Sequence, residues 1–304
     1  MAFRFAKGTP VLHQLLDPTL DITFKILLLR HPDLLRDMIE AVLDLKSPIE
    51  HLEVINPEIP KEFPADKTIV LDIRVLLQDG RQIDLEMQST FPPGTLTRFH
   101  YYWAKAFSEC ITRGEDYTIL RPCISIFWFK EPVLQSPRLH SIFHLSEDES
   151  HEVFSPEIEF HVLELPKLQL ASAHRQARLE RWARFLTART VEDLEDLARE
   201  DATMIVAKNA LEELSLDSEA QRLARERETA VLVHRHLLSS SMERGRAEGR
   251  QEGQAAMLER MLTKKFGAAP AWVQDRLRNA TAAELDTWAD RILVADSIET
   301  VFGK

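Results

Sequence analysis

The sequence predicts a chain of the α/β (α+β) class, with strands and helices mixed in the first half and helices alone in the second. Three observations carry this. Two runs with period-two alternation, KTIVLDIRVLL and RQIDLEMQS, are separated by Gln78-Asp79-Gly80, a strong hairpin signal. Segments with apolar residues at helical spacing lie on both sides of that hairpin. From Ser172 onward the strand signal vanishes.

The first segment, LDPTLDITFKILLLRHPDLLRDMIEAVLDL, carries Leu20, Phe24, Leu27 and Leu28 on one side. His31-Pro32 interrupts it, so two helices are expected rather than one. The Pro-rich loop NPEIPKEFPADK leads to the hairpin. A loop holding Pro92, Pro93 and Gly94 then leads to a helix, TLTRFHYYWAKAFSECITR, which Gly114 ends. PCISIFWFK reads as a buried strand, and RLHSIFHLS and EIEFHVLEL as further strands. HRQARLERWARFL, VEDLEDLARE and TMIVAKNALEEL read as helices. A long charged helical stretch follows through the 220s to the 250s, and two or three short amphipathic helices close the chain, punctuated by Gly267 and Pro270.

Composition narrows the function classes. At 304 residues, 44% hydrophobic and 29% charged, the chain is an ordinary globular one. A net charge of -11 argues against a general nucleic-acid coat. The charge is uneven, however. Lys61 to Lys130 holds nine basic and nine acidic residues, whereas Glu131 to Leu170 holds two basic and eight acidic ones. In the N-terminal half, only the hairpin and the helix after it could face phosphates comfortably. Cys110 and Cys123 are the only cysteines. They exclude a disulfide framework and a four-thiolate zinc site, fit a reducing cytoplasm, and read as buried thiols. The N-terminus has no apolar signal core, and no apolar run approaches the roughly 18 residues that span a bilayer, so a cytoplasmic protein without a membrane segment is expected. His140 and His144 lie four apart in a strand-like run, where they would not converge on a metal.

The hairpin is the informative object. Asp84, Glu86 and Gln88 alternate with Ile83, Leu85 and Met87, so the polar three share a face. Asp72 and Arg74 likewise alternate with Leu71, Ile73 and Val75. The two apolar faces must coincide, because a one-residue slip would bury the acids. A two-residue Asp79-Gly80 loop would set Asp72 beside Met87. A three-residue loop, Gln78-Asp79-Gly80, pairs Leu77 with Arg81, Ile73 with Leu85 and Asp72 with Glu86, and it puts Gly80 where a left-handed residue is wanted. The second register is the expected one. Carboxylates so close repel unless a cation joins them, and a hard divalent cation suits such oxygens. The alternative is a solvated sheet face with Arg74 paired to Asp84 across the strands.

Asp72, a turn, then Glu86-Met87-Gln88 resembles the D…(D/E)xK signature of PD-(D/E)XK nucleases, in an E-x-Q variant. More of the chain is similar to one branch of them, the recombination-promoting nuclease (Rpn) and putative transposase family. Asp21-Ile22-Thr23-Phe24-Lys25 resembles its N-terminal D-xx-F-K element. Arg98, Tyr101, Tyr102 and Lys105, then Gly114-Glu115-Asp116-Tyr117 and CISIFWF, resemble its R…YY…K…G-x-x-Y…I-x-I sequence. Glu164-Leu165-Pro166-Lys167 and Trp182 to Phe185 resemble its E-L-P-K and W-x-x-F elements. The last fifty or so residues resemble a small helical domain of unknown function often appended to these proteins.

The resemblance implies a restriction-endonuclease-like core, a mixed sheet flanked by helices, that cuts DNA with Mg2+ or Mn2+. It implies that residues 1–215 form the nuclease-like domain with trailing helices, 216–256 a charged connector, and 257–304 the small helical domain. Asp72 and Glu86 would ligate the metal with the carbonyl of Met87, and Asp21 matches a position that reaches the metal in related nucleases. Gln88 stands where many relatives have Lys; an amide can orient a water but brings no charge. Arg98, Tyr102 and Lys105 fall at helical spacing on one face and are the candidate DNA contacts, with Lys105 the candidate replacement for the absent lysine. The leading expectation is a Mg2+-dependent DNA endonuclease tied to recombination or mobile elements. The alternative is a catalytically weak or inactive nuclease-like module acting in nucleic-acid binding or assembly. A homodimer through the C-terminal helices is a further expectation, from Gly245, Gly249 and Gly253 on one helical stripe.

Overall fold

The structure, a computed structural model, describes residues 15–45, 47–56, 73–91, 93–168 and 177–303. The chain divides into two compact units, Met1–Ala230 and Val231–Lys304.

The first unit begins with α1 (Asp21–Arg30), whose Ile22, Phe24, Ile26 and Leu28 are all buried. α2 (Pro32–Leu43) starts directly after His31. Pro32 occupies the first helical position, where its missing N–H leaves no helical bond unmade. The expected break between two helices is therefore present.

Six strands form one sheet. β1 (Leu52–Val54), β2 (Ile73–Leu77) and β3 (Gln82–Gln88) run antiparallel in turn. β4 (Cys123–Phe129) and β6 (Val153–Glu164) continue parallel to β3, and β5 (His140–Ser146) closes the edge antiparallel to β6. The order is β1-β2-β3-β4-β6-β5, a mixed sheet as expected.

The hairpin has the register that parity predicts. Ile73 pairs with Leu85, Arg74 with Asp84 and Val75 with Ile83. Leu77 N donates to Arg81 O at 2.9 Å, and Gly80 N donates to Leu77 O at 3.0 Å, closing the three-residue loop. Gly80 sits at φ +84, where a side chain would be strained and its Cβ would meet Arg121 Cγ at 3.0 Å. Asp72, and most of the Pro-rich loop before it, lie outside the described residues.

Two elements differ from the sequence reading. β1 was not expected, because three residues are too few to show alternation. α3 (Thr95–Glu109) stops short of Gly114. The β-branched pair Ile111-Thr112 is a poor continuation, and Glu115 Oε2 takes the Thr112 N–H at 2.6 Å, closing a turn instead.

The sheet separates two apolar layers. On one face Ile73, Val75, Ile83, Leu85, Met87, Ile126 and Trp128 share a core with α1, α2, α4 (Ala177–Thr187), α5 (Val191–Glu200), α6 (Ala202–Leu216) and the first turns of α7 (Ser218–Phe266). Trp182 of α4 is fully buried, and its indole N–H donates to Asp37 Oδ1 at 2.7 Å. On the other face α3 packs Phe99 flat on Phe127, centroids 3.9 Å apart, beside Phe129 and Val162. α3 runs antiparallel to β3, because Arg98 reaches Gln88 while Cys110 Sγ donates to Gln82 Oε1 at 2.9 Å.

Several resemblance motifs prove to be supports. Glu164 is fully buried and accepts from Val133 N at 2.6 Å and Leu134 N at 3.0 Å, while Lys167 Nζ donates to it at 2.6 Å. The E-L-P-K element thus clamps the loop after β4 to the end of β6. Asp116 accepts from Thr118 N at 2.9 Å, shaping the turn before β4. Of the two thiols, Cys123 is buried and pushed up to about 12, chiefly by burial, and Cys110 is half-buried.

The edge strand holds a pair that the sequence did not reveal. His140 Nε2 lies 2.8 Å from His161 Nδ1, and His161 Nε2 lies 2.5 Å from Glu159 Oε1. Burial and the neighbouring His161 push His140 down to about 4 from 6.5. Between these values the unfolded chain binds a proton that the folded chain refuses, so stability should fall as pH drops from about 6.5 toward 4. The gap corresponds to roughly 3 kcal/mol. Urea midpoints measured across that range should flatten in His140→Leu; an equal slope in both proteins would remove the assignment. Farther along β5, Ile142, Phe143 and Leu145 are exposed, the ladder shifts at His144/Leu145, and the acidic turn Glu147-Asp148-Glu149 follows.

In the second unit, Leu258 and Leu262 of α7 form a core with Val273 and Leu277 of α8 (Ala271–Arg278), Trp288 of α9 (Ala282–Val294), and Val301 of α10 (Ile298–Val301) with Phe302 after it. Thr281 and Glu284 form a reciprocal capping box at the start of α9. No described helix is long and apolar enough to cross a membrane.

Candidate active site

The polar face of β3 is covered, contrary to the solvated alternative. Glu86 is 3% exposed, Asp84 and Gln82 7% each. Alternation along a strand tells which side chains share a face but not what lies over it, and here α3 does. Arg74 lies directly across from Asp84, as expected, but its guanidinium extends to Glu109 of α3 at 3.2 and 3.3 Å. Burying carboxylates costs several kcal/mol unless partners compensate, and Glu86 has one such partner in Gln88.

At the C-terminal end of β3 the polar groups form a chain. Gln88 Nε2 donates to Glu86 Oε1, and Gln88 Oε1 accepts from Arg98 Nη2 at 3.3 Å. Residues just before α1 come to the same end. Lys130 N donates to Gln88 O at 3.1 Å. Lys130 Nζ meets Asp17 Oδ2 at 2.7 Å, and Arg189 meets Asp17 Oδ1 at 3.2 Å. Burial alone would raise the Asp17 carboxyl, but hydrogen bonds from Lys130 and Thr19 hold it below its ordinary range.

Asp21 opens α1, buried at 6%, and Arg227 of α7 grips it: Nε lies 2.9 Å from each carboxylate oxygen, and Nη2 contacts Oδ2. Lys25, one turn on, is also buried. Met87 turns its side chain into the helical layer, leaving its backbone in the ladder beside Trp128. Tyr102 is half-buried, edge-on to exposed Tyr101 at 5.6 Å. Lys105 is exposed. Trp103, two residues before it, donates to Cys123 O at 2.8 Å, and Cys123 pairs with Gln82. That anchors this part of α3 to β4, and Lys105 lies about 10 Å along the helix from Arg98 with its side chain in solvent. A cation that reaches the E-x-Q element is Arg98, through Gln88.

Sequence reasoning missed Asp17, Lys130 and Arg227. A buried acid at a helix start calls for a cation, and that much is readable; which arginine supplies it, 206 residues away, is not. Among the described residues no group of three or more His, Cys, Asp and Glu is arranged to hold a metal. Glu86 itself offers carboxylate oxygens, which suit a hard divalent cation rather than a soft metal.

Compared with known families, residues 18–240 match the one described as PD-(D/E)XK nuclease family transposase. No curated protein and no solved structure matches the chain.

Proposed function

Because the chain belongs to the PD-(D/E)XK nuclease family transposases, we propose that it is a Mg2+-dependent DNA endonuclease acting in recombination or on mobile elements. The observation that carries this is the buried Glu86, tied through Gln88 to Arg98 at the end of β3.

The register pairing Ile73 with Leu85 would, carried one residue further, set Asp72 opposite Glu86. Asp72 and Glu86, with the Met87 carbonyl, would then hold the cation, which when bound lowers the pKa of a water and offsets charge on the phosphate. Gln88 would orient the attacking water with its amide. The water oxygen bonds to phosphorus, the P–O3′ bond breaks, the departing oxygen gains a proton, and the water's own proton passes to solvent. Asp21, held by Arg227, would stand behind this group as an oriented carboxylate. Tyr102 and Lys105 would line the path of the DNA along α3.

The second reading, a weak or inactive nuclease-like module, is favoured by two observations: position 88 is uncharged, and Asp21 is already engaged by Arg227. One experiment separates them. Supercoiled plasmid incubated with the purified chain and Mg2+ should be nicked or linearised, and EDTA should stop it. Intact plasmid under both conditions would leave the binding module.

Two copies would pair through α7. Gly245, Gly249 and Gly253 lie four apart, and a Cβ at any of them meets nothing within 4 Å, so a second helix has room to approach. Replacing all three by leucine should turn a dimer into a monomer by light scattering. A wild-type monomer at micromolar concentration would remove the interface.

A further inference from the structure

The element that should bring positive charge to this site, two residues beyond Glu86, is an amide. The structure holds a cation one step further out. Arg98 sits in the first turn of α3, where its N–H donates to Gly94 O at 2.9 Å and Gly94 turns the chain at φ +85. Its guanidinium lies 5.8 Å from the Phe99 ring centroid. Of its donors, Nη2 meets Gln88 Oε1, while Nε is buried and has no hydrogen-bond partner. Among the described residues Arg98 forms no ion pair, whereas Arg74, Arg178, Arg184 and Arg227 all do. Arginine carries five donors in a rigid fork matched to phosphate geometry and stays charged at any working pH. A half-buried guanidinium, fixed through one nitrogen beside a buried carboxylate and carrying more donors than Gln88 takes, is arranged to receive an anion.

We propose that Arg98 is the catalytic cation of this site: anchored on Gln88, it binds a non-bridging oxygen of the scissile phosphate and supplies from α3 the charge that the strand lacks. The assignment rests on the nuclease reading above. It also explains the glutamine. An amide can accept from Arg98 and donate to Glu86 at once, which an ammonium cannot, because lysine has no acceptor. Arg98 takes no part in proton transfer, since a guanidinium keeps its protons in proteins; it offsets charge that grows on the phosphate oxygens as the water attacks.

Four full-length chains test this: wild type, Arg98→Gln, Gln88→Lys and the double substitution. Single-turnover cleavage of supercoiled plasmid with Mg2+ gives the rate. Fluorescence anisotropy on a labelled duplex in EDTA gives the affinity. Arg98→Gln should slow cleavage about 100-fold or more, the scale of one lost transition-state donor, while weakening duplex binding only about threefold. In the Gln88→Lys background, where an ammonium stands on the strand, the same substitution should cost less than about tenfold. A general DNA contact would instead weaken binding as much as rate, and a structural residue would cost the same in both backgrounds; either result overturns the assignment, as does Arg98→Gln cleaving at the wild-type rate. A wild type that does not cut overturns the nuclease reading and this assignment with it. A wild type that cuts while one of the other adverse results appears overturns the assignment alone.

Discussion

Replacing Glu86 by alanine should reduce Mg2+-dependent plasmid cleavage by at least about 100-fold, and Asp72→Ala should do the same. Losing a residue that merely supports a metal ligand costs 10–100-fold in comparable sites, so losing a ligand costs more. The apolar side of the hairpin, with Ile73, Val75, Ile83 and Leu85 all fully buried, is untouched by either change, so folding should survive. Glu86→Gln is the sharper variant. It keeps the shape and the hydrogen bond toward Gln88, but it removes the charge that would hold the cation. Cleavage by Glu86→Gln at the wild-type rate would sink the metal role, and unchanged far-UV dichroism in the same sample would show that a loss is chemical rather than structural.

The largest effect on stability is expected at Trp182. Its side chain is fully buried, packs edge-on to Phe185 at 5.6 Å, and donates to Asp37 Oδ1 at 2.7 Å. Asp37 also accepts from Arg178, with Nε at 3.1 Å. Trp182→Ala opens a cavity worth about 3–5 kcal/mol and deprives Asp37 of a donor, about 1 kcal/mol more. That is a large part of the 5–15 kcal/mol typical of a domain. Trp182→Phe should retain most of the packing and lose the hydrogen bond, giving a smaller drop. Chemical denaturation of the first unit measures both. A loss below about 1 kcal/mol for the alanine variant would mean that the W-x-x-F element is not a core anchor.

The parts of the fold written in period and punctuation were legible. Parity of the alternating runs determined the β2/β3 register, because one face had to be apolar throughout and Gly80 had to close the loop. His31-Pro32 marked the α1/α2 boundary for an equally local reason. What local pattern cannot hold is the identity of a neighbour across the fold. Asp84, Glu86 and Gln88 look like a wet strand face until Phe99 and Arg98 lie over it. Lys105 matched the spacing of a site cation, and the spacing could not show that its side chain would be exposed while Arg98, two turns earlier, meets Gln88. His140 found its partner in His161 on another strand, not in His144. Asp21 found Arg227 from a helix whose charges, read in sequence, look like an ordinary solvated surface.

The outer edge of the sheet sets a limit on how this chain behaves in quantity. A strand that ends the sheet among the described residues, with Ile142, Phe143 and Leu145 exposed, is a template on which further chains can add. Two devices oppose that growth. The ladder shift at His144 bends the strand out of a flat, extendable line. The run Glu147-Asp148-Glu149 then places like charges where successive strands would have to stack, repelling them. The colloidal behaviour of the chain is therefore lodged in a turn outside the proposed site.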